Sequence, residues 1–370
     1  ARGRLNVRPR VLIKTQKSQA MKKREYILLS AILLIAFTSC DKSMNHTALV
    51  AGGDKIDFVT AGADEPFISP LSGRGSETDI AAMRDFGVYA YYAADGAFST
   101  VLTPKFMYNT RVTKNDGVWE YTPVMYWPKS GTVSFFAYSP YADGGNTAIG
   151  LGSDITTTGY PRMTYTVPDD VKAQQDLLVS IPLIDQMKAD VPAGGKLTLT
   201  FKHTLACVVF QAKMTAVCEF PVKVTSVTLG QLKNKAAFTY DDTPGIFSWT
   251  ATSDAVNKSY TLDIDNRLLA NTDISTTASD YLTISLADSH LLLLPQAIDA
   301  DDEITVTVDY VLAAGIQSKT VTTPLGNLIN NLEAGKRYSV NILVSALSDI
   351  ALTCSVEEWT TETVNVPDFK

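Results

Sequence analysis

Ile304-Thr305-Val306-Thr307-Val308-Asp309-Tyr310 is the stretch that decides the fold class. Apolar and polar residues alternate strictly, so an extended chain puts Ile304, Val306, Val308 and Tyr310 on one face and Thr305, Thr307 and Asp309 on the other. A helix would scatter the same residues around its surface. Runs of this kind recur outward in both directions, among them residues 55–60, 86–92, 132–138, 196–201, 205–213, 222–229, 318–323 and 337–344. Turn formers separate them, as in Asn115-Asp116-Gly117, Asp143-Gly144-Gly145 and Asp242-Thr243-Pro244-Gly245. Apolar positions at helical spacing are almost absent beyond residue 54, so the crossover helices of a parallel α/β sheet are missing. The pattern predicts an all-β body of antiparallel sheets, each with one buried and one wet face, packed in pairs as sandwiches.

The chain has 370 residues, of which 45% are hydrophobic and 19% charged, which suits two globular domains and excludes a disordered polymer. The expected break lies near 214–220, giving an N-terminal β-sandwich at 55–216 and a C-terminal one at 217–370. Long loops of small residues are expected at 139–160 and 265–280. The formal charge of −7 is uneven. Residues 1–39 hold nine basic residues and one acid, leaving 23 basic against 38 acidic residues, or −15, for 40–370. A body that acidic offers no clustered cations to replace phosphate counterions, so nucleic acid is not an expected partner.

The basic front reads as an address. From Met21, Lys22-Lys23-Arg24 precede a 12-residue apolar run at 26–37 and then Thr38-Ser39-Cys40, the layout of a secretory signal. A transmembrane helix needs about 20 apolar residues, so a retained anchor is the weaker reading. Small residues directly before a cysteine predict a lipoprotein signal at 21–39, with Cys40 acylated as the new N-terminus; an ordinary signal with an incidental cysteine is the alternative. Phe37 stands where such signals prefer an aliphatic residue. Residues 1–20 read as an extension upstream of the native start, and 40–54 as a flexible tether.

Catalytic chemistry is poorly supplied. Only His46, His203 and His290 provide imidazole, and no nucleophile elbow, zincin, C-x-x-C or phosphate-loop motif is present. Asp299, Asp301, Asp302 and Glu303 lack the spacing of a calcium loop and read as an acidic turn. His203 has no carboxylate or cysteine at catalytic spacing and reads as structural. Cys207 and Cys354 fall on apolar strand patterns and read as buried free thiols, with a Cys207–Cys218 bridge as the alternative. Trp119 and Trp127 are candidates for a sugar-stacking platform, although core packing explains them more simply. No enzyme activity, cofactor or metal is expected.

Several motifs in order carry a resemblance: Phe86-Gly87-Val88-Tyr89-Ala90-Tyr91, Tyr126-Trp127-Pro128 before the 133–138 strand, Asp176-Leu177-Leu178-Val179, Phe201-Lys202-His203-Thr204-Leu205-Ala206, Leu294-Pro295-Gln296, Leu332-Glu333-Ala334-Gly335-Lys336-Arg337-Tyr338 and Val356-Glu357-Glu358-Trp359. With the lipoprotein signal, the chain resembles the fimbrillin-like proteins of the Bacteroidetes, also called type V pilins. The resemblance implies two tandem transthyretin-like antiparallel β-sandwich domains and a lipidated precursor held at the outer membrane through Cys40. It also implies assembly with other fimbrial subunits after an arginine-specific protease removes an N-terminal strand. The next subunit's donor strand would then fill the opened groove by strand addition.

Carried onto this sequence, the scissile residue is Arg74 in Ser72-Gly73-Arg74-Gly75-Ser76, where small neighbours leave the backbone accessible, with Arg84 second. The candidate donor is the tail at 360–370, in which Val364 and Val366 share a face and Pro367 ends any pairing. Whether the subunit serves as stalk, tip or anchor stays open. A host or bacterial surface receptor would be met first by the 139–160 loop. The competing reading is a surface glycan-binding lipoprotein of the outer membrane, and an outer-membrane hydrolase comes third for want of a nucleophile and base.

Overall fold

Alternation in sequence becomes a strand only where a neighbour satisfies its backbone, so the pairing pattern carries the architecture. The computed structural model describes residues 54–62, 82–191, 195–215, 220–243, 245–262, 264, 281–285, 290–345 and 350–359. In chain order the first strands are β1 (Phe58–Gly62), β2 (Asp85–Ala93), β3 (Met107–Asn115), β4 (Val118–Tyr121), β5 (Thr132–Ser139), β6 (Ile149–Leu151) and β7 (Arg162–Thr166). Next come β8 (Leu178–Ser180), β9 (Leu183–Gln186), β10 (Leu197–His203), β11 (Ala206–Met214), β12 (Val222–Lys233), β13 (Lys235–Tyr240), β14 (Phe247–Ala251) and β15 (Asn257–Thr261). The last are β16 (Leu282–Thr283), β17 (Leu291–Leu293), β18 (Gln296–Ala297), β19 (Glu303–Leu312), β20 (Gly315–Pro324), β21 (Asn331–Leu332), β22 (Lys336–Val344) and β23 (Ile350–Glu358). No α-helix occurs among the described residues, only short 3-10 turns such as Val171–Ala173. The all-β expectation holds.

The first sheet runs β1-β10-β8-β5-β2-β3-β4, with β9 also on β5. A second runs β16-β11-β22-β23 with β17 on β11, a third β15-β12-β19-β20, and a fourth β14-β13-β7-β6. Two pairings depart from the expected antiparallel rule: β1 lies parallel to β10, and β11 parallel to β22. Each brings together segments more than a hundred residues apart, so no hairpin dictates their direction. Pairing also crosses residue 216, since β11 bonds to β22 and β7 bonds to β13.

Two cores follow from the sheets. The first is lined by Phe86, Val88, Ala90, Trp119, Phe135, Ala137, Leu199 and Phe201 from the inner face of the first sheet. The second takes the opposite face of the same sheet, through Tyr89, Tyr91, Phe136 and Tyr138, and continues through the other sheets. β5 is therefore buried at all eight positions and β2 at seven of nine. This corrects the expectation of one wet face: both runs are nearly continuous in apolar residues, which is the mark of a strand covered on both sides.

The deciding stretch behaves as its alternation requires. Ile304, Val306, Val308 and Tyr310 are buried on β19. On the other face Thr305 pairs with Thr322 at 2.9 Å and Thr307 with Thr320 at 3.0 Å, hydroxyl to hydroxyl across β19 and β20. Asn115-Asp116-Gly117 makes the β3–β4 turn with Asp116 at φ 46° and Gly117 at φ 80°, the left-handed pair that a tight hairpin needs. The acidic stretch before β19 closes on itself, the Asp299 amide donating to Asp302 Oδ2 at 2.7 Å.

Candidate functional site: the strand that closes the first sheet

Residues 54–62 change partners halfway along. At their start the Ile56 amide donates to Met125 O at 3.0 Å and the Trp127 amide to Asp54 O at 3.0 Å, with Lys55 opposite Tyr126 in an antiparallel bridge. Those partners follow β4, the far edge of the first sheet. From Phe58 the chain pairs with β10, the other end, in the register Phe58 to Leu197 through Gly62 to Phe201. The Leu197 amide donates to Asp57 O at 2.8 Å, where the two halves meet. This one segment therefore bridges the two ends of the sheet and closes it around the first core.

Its side chains are part of that core. Ile56 is 0% exposed and Phe58 1%, whereas Val59, on the opposite face, is 39% exposed. The Phe58 ring meets Phe86 edge-on at 6.1 Å, Phe135 edge-on at 5.8 Å and Tyr121 at 5.6 Å. Burying an Ile and a Phe is worth roughly 1.5–3 kcal/mol each, so these two side chains dominate the hold on the segment. Lys55 to Asp57 at 2.7 Å and Lys188 to Asp54 at 3.6 Å are solvent-exposed ion pairs that add at most about 1 kcal/mol apiece.

Tyr121 fastens the segment from below. Its hydroxyl donates to Ile56 O at 2.7 Å and accepts from the Met125 amide at 3.3 Å. Burial pushes the phenol up from 10.0 to about 12. Both roles come from tertiary structure, because Val118-Trp119-Glu120-Tyr121 reads in sequence only as a short alternating strand.

The residues expected to act lie elsewhere. Cys40, Arg74, Val364 and Val366 all fall outside the described residues, as does Cys218. In sequence, Arg74 separates the closing segment from β2. Arg84 is described: its carbonyl accepts from the Lys114 amide at 2.9 Å, and Met83 before it is 2% exposed, so its backbone is tied into structure rather than lying in an open loop. Trp119 and Trp127 are each 6% exposed inside the first core, so neither presents a face to a sugar. Cys207 is buried on β11, and Cys354 is a half-buried free thiol whose pKa burial raises to about 11.

His203 corrects the sequence reading. It does have a carboxylate partner, Asp176, whose Oδ2 lies 2.8 Å from Nδ1 although 27 residues separate the two. Trp359 stacks on the imidazole with centroids 4.0 Å apart and planes at 13°. The signal was present in sequence as three polar or aromatic residues set within apolar motifs, but nothing there says that they meet.

The fold and site define an all-β protein in which one short segment, residues 54–62, completes a sheet, and the described residues gather no group of three or more His, Cys, Asp or Glu able to hold a metal. The chain belongs to the fimbrillin-like family, whose sequence pattern matches residues 74–359. A fimbrial protein from Bacteroides vulgatus has a similar structure, with a TM-score of 0.63 at 18% identity over 83% of this chain and 99% of that one. A candidate cell adhesion protein from Bacteroides ovatus is similar at a TM-score of 0.50 and 17% identity, over 84% of this chain and 99% of that one. Identities this low speak for the fold alone. No curated protein sequence matches the chain at a significant level.

Proposed function

We propose that the chain is a structural or adhesive fimbrial subunit at the cell surface, exported as a lipoprotein through Cys40 and activated by arginine-specific cleavage at Arg74. The observation that carries this reading is the closing segment. Residues 54–62 contribute two fully buried side chains to the first core and join to β2 only through the stretch containing Arg74. Cleavage there cuts the covalent link between them, with the lipid, and everything that follows, so that only the noncovalent hold remains to be displaced.

Loss of the segment uncovers the β10 edge and leaves a groove beside Phe86, Tyr121 and Phe135. An extended strand from a second copy can fill it by backbone pairing and alternate side chains. The tail with Val364 and Val366 is the proposed donor. We read the two cores as tandem transthyretin-like sandwiches. The proposed division stays at 55–216 and 217–370, with β7 and β11 of the first part paired to β13 and β22 of the second. Surface receptors, if the subunit is a tip, meet the exposed parts of the 139–160 loop, residues 143–145 and 154–156.

Treating the purified full chain with an arginine-specific protease tests the proposal. A new N-terminus at Gly75 and a ladder of oligomers are expected, with Arg74→Ala remaining uncut and monomeric and Arg84→Ala behaving as the parent. Equal polymerisation by Arg74→Ala would sink it.

A further inference from the structure

We infer that Trp359 is a latch that carries tension from the root of the C-terminal tail directly into β10. The inference rests on the proposal that the tail acts as the donor, since only then is it pulled. Among the described residues β23 pairs on one side only, to β22, over nine residue pairs from Ile350 to Glu358. It is poorly covered, with Val356 55% exposed. A force applied at its C-terminal end would break those pairs one after another, beginning with the Lys336–Glu358 ion pair. Sequential peeling resists weakly, because each step opposes the force with a single pair.

Trp359 stands at that end and is 4% exposed. Its amide donates to Gly335 O at 2.7 Å, and the Gly335 amide donates to Leu205 O at 2.9 Å. Its ring lies flat on His203, the last residue of β10. His203 is in turn tied to Asp176, whose side chain is 0% exposed. The next residue, Thr204, donates through its hydroxyl and its amide to Leu177 O at 2.6 and 3.1 Å and accepts from Trp249 Nε1 at 2.8 Å. Three family-like motifs far apart in sequence thus form one knot beside the strand that the closing segment occupies.

The mechanical consequence follows from connectivity. Tension entering at residue 360 reaches Trp359 before β23, and the stacked ring with its hydrogen-bonded surroundings must be withdrawn as a unit before any β22–β23 pair is loaded. The force passes to β10, the acceptor strand of the same subunit, so a fibre would be continuous from donor root to acceptor groove.

Single-molecule pulling on the full chain tests this, with one handle at Lys370 and the other on a click-reactive residue replacing Asp95, an exposed turn position. The parent is expected to yield in one event. Trp359→Ala should halve the force or lower it further and release residues 350–358 as a separate earlier event. His203→Gln, which removes the stacking ring and keeps Trp359, should produce the same early event. Glu357→Ala should leave the trace as in the parent. If Trp359→Ala does not fold by circular dichroism, Trp359→Phe and His203→Gln decide the matter. Folded latch variants that rupture at the parent's force would overturn the inference. No protease or second subunit takes part, so a chain that fails to polymerise but shows the early event keeps the latch and loses only the donor reading.

Discussion

Tyr121 shows how a single side chain can set the conditions under which the closing segment is held. Burial favours the neutral phenol, and its hydroxyl donates to Ile56 O, so the folded state binds that proton more tightly than the unfolded chain does. Its contribution is complete below pH 10.0 and is lost as pH rises through about 12. Tyr121→Phe should therefore cost about 0.5–1.5 kcal/mol in urea unfolding at pH 8, and the parent's advantage should shrink between pH 10 and 12. An advantage that stays constant across that window would mean that the phenol does not hold the segment. Gly87 makes a different residue-level point. A Cβ there would sit 2.4 Å from Tyr138 Cε1, because the Tyr138 ring crosses the strand to donate to Asn109 Oδ1 at 2.7 Å. The ring lying over Gly87 explains why no side chain fits there.

Among elements, β1 is the one whose reading changes most between sequence and structure. Its alternation over 55–60 is legible, and the strand is observed at Phe58–Gly62 with a bridge at Lys55. Its parallel direction and its change of partner at Asp57 are not legible, because both depend on where β10 and residues 125–127 lie. A strand that fills a groove by backbone pairing and two buried side chains can also fill it from outside. A synthetic peptide of residues 54–62, added to chain cleaved at Arg74, should raise its melting temperature and slow its polymerisation. The same peptide with Phe58→Ala should do neither at equal concentration. Identical effects from both peptides would mean that the groove does not select its occupant through Phe58. β9, β18 and β21 are not legible in sequence for a simpler reason: two to four residues are too few to show a period.

At the scale of the whole molecule, charge opposes assembly. Residues 75–370 hold 20 basic against 33 acidic residues, a formal −13, so copies in a fibre repel one another at low ionic strength. Polymerisation of cleaved chain, followed by light scattering, should speed up several-fold between about 20 and 300 mM sodium chloride; a rate independent of salt would show that the charges are kept apart in the fibre. The sequence alone determined the strand class, the acidic body, the thin catalytic inventory and the family, because each depends on local alternation, composition or motif order. The tertiary structure decided that β2 and β5 are covered on both faces, that residues 54–62 close the first sheet, and that Asp176, His203 and Trp359 meet. Those facts are contacts between segments tens to hundreds of residues apart, and the alternation that makes a strand says which face is buried without saying what will bury it.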